Sequence, residues 1–528
     1  MEIAFLLGPL AGPIVLIAAG LTSLTNDGVR PERALLASRL GSLTALFTAI
    51  LTVAMTIITG PVDSLTVGVD ALSIGTRIDA LSTILSLLVA FVGVIVLQFS
   101  RNYLDGDARQ GWFLAWMCFT LASVMTLVVA GTLILLAAAW IATSLCLHKL
   151  LVHYSDRPGA QLAAHKKFVV ARLSDLALIA AFILIGGSMG EWQIGAIMDA
   201  ARIAEPNGML TAAACLIAIA AVLKSAQFPS HGWLIEVMET PTPVSALLHA
   251  GIVNAGGFLV IRFADIVMLS SSSLWMLAII GGGTALIGSA AMLTQSSIKT
   301  TLAWSTVAQM GFMIMQCGFG AFSAALLHIV AHSFYKAHAF LSSGSAIDKI
   351  RIPETGSAIG APSLPKLLMG FAVALAVFLA VGQQFGITAS EKPGYLVFGA
   401  VIVLGLAHYL ARGFAARSVG YVMIQVSLTS AAIAVLYFSL QAGTAYMMTG
   451  IVPEVSAPIS GQIILMGLII AGFAGLTVVQ NLPTKTSQTP FFQALRIHFS
   501  NGLYANAIFN KLVGRPYGPA QTLSGATQ

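Results

Sequence analysis

The sequence predicts an all-α polytopic membrane protein of about 15 transmembrane helices, within a range of about 14 to 16, with interrupted helices at matching positions of two halves. Three observations predict it. Of 528 residues, 57% are hydrophobic and only 9% are charged, against ~25% charged in an ordinary soluble domain. Apolar windows of about 20 residues recur along the whole chain. The basic residues collect in alternate connections, as the positive-inside rule requires.

The windows lie near 3–21, 35–59, 79–99, 111–131, 132–151, 167–187, 208–228, 243–264, 274–294, 298–317, 320–344, 364–384, 395–411, 418–440 and 461–480. The first is too long for a signal peptide and lacks a basic leading region, so it reads as a retained span. With the N-terminus outside, 20 of the 26 Lys and Arg fall in inner segments, among them Arg30, Arg101, Lys149, Lys299 and Arg412. The outer segments hold Arg77, Arg202, Arg262 and Lys392, while Lys224 and Lys336 stay inside spans. An odd number of spans with a cytoplasmic C-terminus follows. The net charge of +6 is then a topology signal, and no basic face with interleaved aromatics points to nucleic acid.

Little lies between the spans. Residues 61–79 alternate at Val67-Gly68-Val69 and turn at Gly75, the pattern of a short outer hairpin. Segment 189–207 is polar, and 345–363 is a Pro/Gly/Ser loop on the inner side. After the last span comes a linker at 483–490, then Phe491-Phe492-Gln493-Ala494-Leu495-Arg496 and Asn501-Gly502-Leu503-Tyr504. This amphipathic tail either lies on the membrane surface or docks a partner. Cys118, Cys146, Cys215 and Cys317 are scattered singly, without the C-x-x-C pairs of an iron–sulfur cluster or structural zinc site. No Walker lysine or dinucleotide fingerprint is present, and Gly281-Gly282-Gly283 inside an apolar span points to close helix packing. ATP hydrolysis and dinucleotide chemistry have no site.

The polar residues inside spans carry the functional reading. Lys224 ends the apolar run 210–227. A cation at membrane depth costs from ~2.5 to over ~10 kcal/mol and marks an ion or proton path, unless its stem snorkels from a span end. Pro229 interrupts the helix just after it, and backbone freed in this way is tolerated only inside protein or beside a water-filled cavity. Gln384-Phe385-Gly386 ends a later span much as Gln227-Phe228-Pro229 breaks this one, the pairing expected of an inverted-repeat transporter. His249, in the next span, is either a structural hydrogen-bonder or a titrating relay. His328, His332 and Lys336 are spaced i, i+4, i+8 on one helical stripe, with His338 nearby. Imidazole both donates and accepts near neutral pH, so such a stripe suits proton transfer, with interhelical hydrogen bonding the plainer alternative. A metal would need a carboxylate that the neighbouring sequence does not offer. Asp175, one turn after Arg172, is either an interfacial ion pair or the counter-ion of Lys224; Glu236 and Glu239 beside the broken helix are its rivals.

The stretch Lys224-Ser225-Ala226-Gln227-Phe228-Pro229, the run Pro241-Thr242-Pro243-Val244-Ser245-Ala246-Leu247-Leu248-His249 and the segment Lys299 to Gly311 resemble the antiporter-like subunits shared by respiratory complex I, membrane-bound hydrogenases and multisubunit sodium/proton antiporters. The resemblance covers about residues 70–440. It implies two inverted five-helix repeats and a hydrated midplane axis, with Lys224 as the broken-helix lysine, His249 as the connector, and His328, His332 and Lys336 as the second-half relay. The chain then divides into N-terminal helices with the hairpin (1–110), a first repeat (111–265), a second repeat (266–415), C-terminal helices (416–482) and a cytoplasmic tail (483–528).

Two departures narrow the branch. Complex I subunits carry a glutamate directly after the tryptophan of the fifth span, where Ile141 follows Trp140, and a lysine on the second broken helix, where this chain has Val381, Gly382, Gln383 and Gln384. His231-Gly232-Trp233-Leu234, the run His249 to Leu259 and the segment Tyr335 to Gly344 are instead similar to the membrane subunits of bacterial DAB inorganic-carbon transporters. That likeness implies a multi-pass protein of the bacterial inner membrane, without a cofactor or catalytic site of its own. It also implies a large zinc, carbonic-anhydrase-like (DabA-like) partner whose CO2 hydration is driven by a cation flux, protons in the first instance. A proton-pumping subunit of a redox complex and a subunit of a sodium/proton antiporter are the competing expectations.

Overall fold

The computed structural model describes residues 2–345, 364–386, 398–399, 401, 403, 419–454, 460–480 and 488–513. Most of the expected span 395–411, the loop 346–363 and most of the linker 483–490 lie outside these.

Helices start where local chemistry provides a cap. The helix α1 spans Glu2–Leu24, α2 Glu32–Thr59 and α3 Ala80–Tyr103. Ahead of α3, the Asp79 carboxylate accepts from the Ser82 amide while Ser82 Oγ accepts from the Asp79 amide, a reciprocal capping box. Then follow α4 (Gln110–Val129), α5 (Leu133–Leu151), α6 (Pro158–Met189), α7 (Ile194–Ile203) and α8 (Gly208–Lys224). Pro158 opens α6, where its missing N–H costs nothing. This start lies nine residues before the window that begins at 167, so Asp175 falls in the interior of α6 rather than near its opening.

Among the described residues, ten helices are long and apolar enough to cross a membrane. The helices α13 (Ser271–Met292), α14 (Ile298–Gly318) and α15 (Phe322–Leu341) form the second half around the polar stripe. Of these, α14 and α15 have sufficient length but are more polar. Close packing joins α13 to α14: a Cβ on Gly281 would stand 2.4 Å from the Met315 amide nitrogen, and one on Gly311 would stand 2.5 Å from that of Ala285. In lipid, where helices gain no hydrophobic drive to associate, such small residues let backbones approach.

The expected hairpin is present. The strands β1 (Val62–Asp63) and β2 (Arg77–Ile78) pair antiparallel, with Val62 opposite Ile78 and Asp63 opposite Arg77. Arg77 bonds Asp63 at 2.6 Å and Asp79 at 3.0 Å, and Asp79 also accepts from Arg262. Burial pushes the Asp79 carboxyl up, but Arg262 and Arg77 beside it outweigh this and bring it down to about 2.

Two consecutive spans are interrupted. After α8 the chain leaves helical geometry at Ala226 (φ 49°) and resumes as the short α9 (Gly232–Glu236). The next span is broken as well, into α10 (Thr242–Ala250), a single 3-10 turn, α11 (Ala255–Arg262) and α12 (Ala264–Met268). The breaks face each other: Ser225 Oγ donates to the Val253 carbonyl at 2.9 Å, and Asn254 Nδ2 donates to the Ala250 carbonyl at 3.0 Å. Carbonyls left without intrahelical partners are thereby satisfied inside protein.

Candidate proton path

Lys224 is the last residue of α8, and its ammonium is buried against α5. Nζ donates to the Trp140 carbonyl at 3.2 Å and to Ser144 Oγ at 2.8 Å, and lies 4.2 Å from the centre of the Trp140 ring. Two acceptors and an aromatic face thus solvate the cation. Asp175 acts on Lys224 through space, while its carboxylate sits 2.7 Å from Arg172 Nη2.

Glu236 is engaged elsewhere. Its Oε2 accepts from Lys166 Nζ at 2.5 Å and its Oε1 from Asn506 Nδ2 at 2.7 Å, so both carboxylate oxygens are taken by partners other than Lys224. The side chain of Glu239 lies outside the described set. Lys166 and Lys167, which the sequence marks only as topology charges, are both buried. Lys167 Nζ donates to the Ser144 carbonyl at 2.5 Å. A signal was available, because Lys167 and Asp175 are two helical turns apart on one stripe, the spacing that singles out His328 and Lys336.

Lys336 is held by the same device as Lys224. Its Nζ donates to the Leu302 carbonyl at 3.0 Å and to Ser305 Oγ, both on α14. His332 is buried beside it, and neither ring nitrogen has a protein hydrogen bond. The His328 ring stacks 6.0 Å from that of His332. His249 is fully buried, stacked on Phe340 at 4.3 Å, and both its nitrogens are also without a protein partner. His249, His332 and Lys336 are close enough for their charges to act on one another. Buried imidazoles without protein partners are the groups that water satisfies and that pass protons. A cleft of 820 Å³ runs along Lys336, His332, His328, Gln309, Gln316 and Gln441, with room for such water.

His338 stands apart. Two residues advance a helix by about 200°, so His338 is exposed on the far side of α15, in a groove with Phe91 and Phe334. The remaining residues form two groups: Lys224 with Asp175 and Arg172, and Lys336 with His332, His328 and His249. Among the described residues no hydrogen bond joins Lys224 directly to His249. The groups meet through the two breaks, where Asn254 Nδ2 also donates to Ser333 Oγ on α15 at 2.9 Å.

The tail reaches the same region. Its helices, α19 (Pro490–Ser500) and α20 (Ala505–Val513) when Leu364–Gln384, Val419–Met447 and Ser460–Gln480 are counted as α16 to α18, fold back on the chain. Asn506 Oδ1 accepts from Lys166 at 3.0 Å, completing a Lys166–Glu236–Asn506 triad. A Cβ on Gly502 would stand 2.9 Å from the Trp304 ring, whose other neighbour is His231 at 4.9 Å. The tail therefore docks on this chain, a contact that amphipathicity alone does not specify.

Comparison with known proteins places this geometry. A family model described as NADH:quinone oxidoreductase/Mrp antiporter matches residues 130–381, and one described as the N-terminus of chain 5 of complex I matches residues 65–114. A probable inorganic carbon transporter subunit, DabB2, of Halothiobacillus neapolitanus is 37% identical over 446 residues, 83% of this chain and 80% of that one. The corresponding subunit of Hydrogenovibrio crunogenus is 38% identical over 66% of this chain and 68% of its own. A chloroplastic NAD(P)H-quinone oxidoreductase subunit 5 from Dioscorea elephantipes is 38% identical over 51% of this chain and 37% of its own. The fold is shared with a chain of the Mrp complex from a Dietzia species (TM-score 0.57, 22% identity, 96% of this chain and 56% of that one). It is shared also with an archaeal membrane-bound sulfane sulfur reductase (TM-score 0.56, 16% identity, 97% and 99%).

Proposed function

Because the chain belongs to the DabB family of inorganic-carbon transporter subunits, within the antiporter-like membrane subunits, and is a cation-translocating membrane subunit, we propose that it conducts protons for a zinc, carbonic-anhydrase-like (DabA-like) partner that hydrates CO2 to bicarbonate. The chain contributes the ion path and no catalytic site. Protons enter from the outer face of the bacterial inner membrane and pass by Lys224, His249, His332 and Lys336, with His328 hydrating or tuning the route and Asp175 the first counter-ion. Repeats at 111–265 and 266–415 frame it, the N-terminus lies outside and the C-terminus in the cytoplasm.

One observation carries this reading: two buried lysines are each held by one carbonyl and one serine hydroxyl, and buried histidines without protein partners lie beside the second of them. The test is growth in air of a carbonic-anhydrase-deficient bacterium. Co-expression with the zinc partner rescues growth in a protonophore-sensitive manner, and the chain alone does not. Full rescue by the chain alone would refute an obligate pair.

A further inference from the structure

The charges around Lys224 do not balance. Lys224 and Lys167 both donate to Ser144 of α5, one to its hydroxyl at 2.8 Å and the other to its carbonyl at 2.5 Å. Both are buried, 7% and 5% exposed, and Lys167 feels the charge of Lys224. The charged groups facing them are Arg172 and Asp175 of α6, and the titratable Cys146 and His148 of α5 face Lys167 as well. With both lysines protonated, three cations would face one carboxylate that already pairs with Arg172 at 2.7 Å. Uncompensated charge at this depth is costly, so the pocket favours a single proton for the two amines.

Space for its transfer is present. A cavity of 20 Å³ is lined by Ser144, Lys167 and Lys224 together with Trp233 and Ile252, and such a volume holds about one water. We propose that Lys167 is a second proton-carrying residue of the path, exchanging one shared proton with Lys224 through a water beside Ser144, and that it forms the link from Lys224 toward the N-terminal end of α6. In the step, the Lys224 ammonium gives an N–H proton to the water oxygen, and the water gives one of its own protons to the lone pair of the neutral Lys167 amine. Water is regenerated, Lys224 becomes neutral and Lys167 becomes the ammonium. Neutral Lys167 keeps an N–H for the Ser144 carbonyl, so the anchor persists in both states. The proposal rests on the proton-conducting reading above.

The test uses the complex of this chain with its partner in sealed vesicles, with proton entry followed by an internal pH dye under an imposed potassium-diffusion potential in sodium-free buffer. Lys167→Gln retains an N–H donor for the Ser144 carbonyl but cannot titrate, and Lys167→Arg retains donor and charge but holds its proton. At wild-type membrane levels and with the partner still bound, each lowers proton entry by at least about tenfold, as loss of a proton-transfer group does. If either variant runs at the wild-type rate, Lys167 is a structural anchor and the proposal falls. Should Lys167→Gln fail to accumulate, Lys167→Arg, the nearer replacement, decides between the same outcomes. Failure of the parent reading looks different: the unsubstituted complex itself admits no protons, or only with sodium.

Discussion

The Lys224 and Lys336 pockets use one anchoring device in opposite surroundings. Each ammonium donates to a carbonyl and a serine hydroxyl about one helical turn apart, Trp140 and Ser144 in one half, Leu302 and Ser305 in the other. Around Lys224 lie Lys167, Arg172 and Asp175 and a cavity of 20 Å³. Around Lys336 lie histidines and glutamines and a cleft of 820 Å³, and residues 266–345 contain no Asp or Glu at all. The difference teaches that a membrane lysine is set in two ways: among fixed charges in a tight pocket, or among water and imidazole in a roomy one.

The largest effect is expected where the device is shared. Lys224→Arg and Lys336→Arg should each lower proton entry by ~100-fold or more at matched membrane levels, since guanidinium fits the acceptors but holds its proton. Vesicle dye measurements check this, and full activity in one variant alone would break the symmetry between the pockets. His249→Ala and His332→Ala, which remove the buried imidazoles of the proposed route, should each cost about tenfold or more. Asp175→Asn sharpens the contrast: among the described residues it withdraws the one carboxylate facing the tight pocket, should slow entry by about tenfold, and has no counterpart in 266–345.

How much of this was legible in the sequence differs between the halves for the same physical reasons. The roomy half was written in one helix, because His328, His332 and Lys336 share a stripe that the 3.6-residue period exposes. The same period shows that His338, two positions on, faces away. The tight half is assembled from α5, α6 and α8, so Lys167 and Ser144 acquire their meaning only through tertiary contact. Glu236 illustrates the limit, since its neighbours in sequence point to Lys224 while the fold gives it Lys166 and Asn506. Pro229 announced the break in α8, but the break after His249 occurs at Gly251, where no proline marks it.

Smaller effects probe the frame outside the pockets. Asp79→Asn leaves Arg262 and Arg77 without a buried carboxylate, and should cost about 3–5 kcal/mol of stability, read as a lower thermal midpoint of the detergent-solubilised protein. The Asp79 carboxyl is held down to about 2, below the ordinary Asp value of about 4. Its contribution is therefore complete above that ordinary value and is lost only as pH falls toward 2. Asn506→Leu should leave insertion intact and loosen the tail, seen as faster proteolysis after residue 489. His338→Ala, on the exposed side of α15, should change proton entry by less than about twofold, against the losses at His249 and His332.

The central claim is proton passage between two unlike lysine pockets, and it is tested most directly by proton entry into sodium-free vesicles containing the complex, with and without Lys336→Arg. The account predicts proton entry that follows the imposed gradient without sodium and is lost in the variant. Proton entry that appears only when sodium is added, or that survives Lys336→Arg, would contradict it.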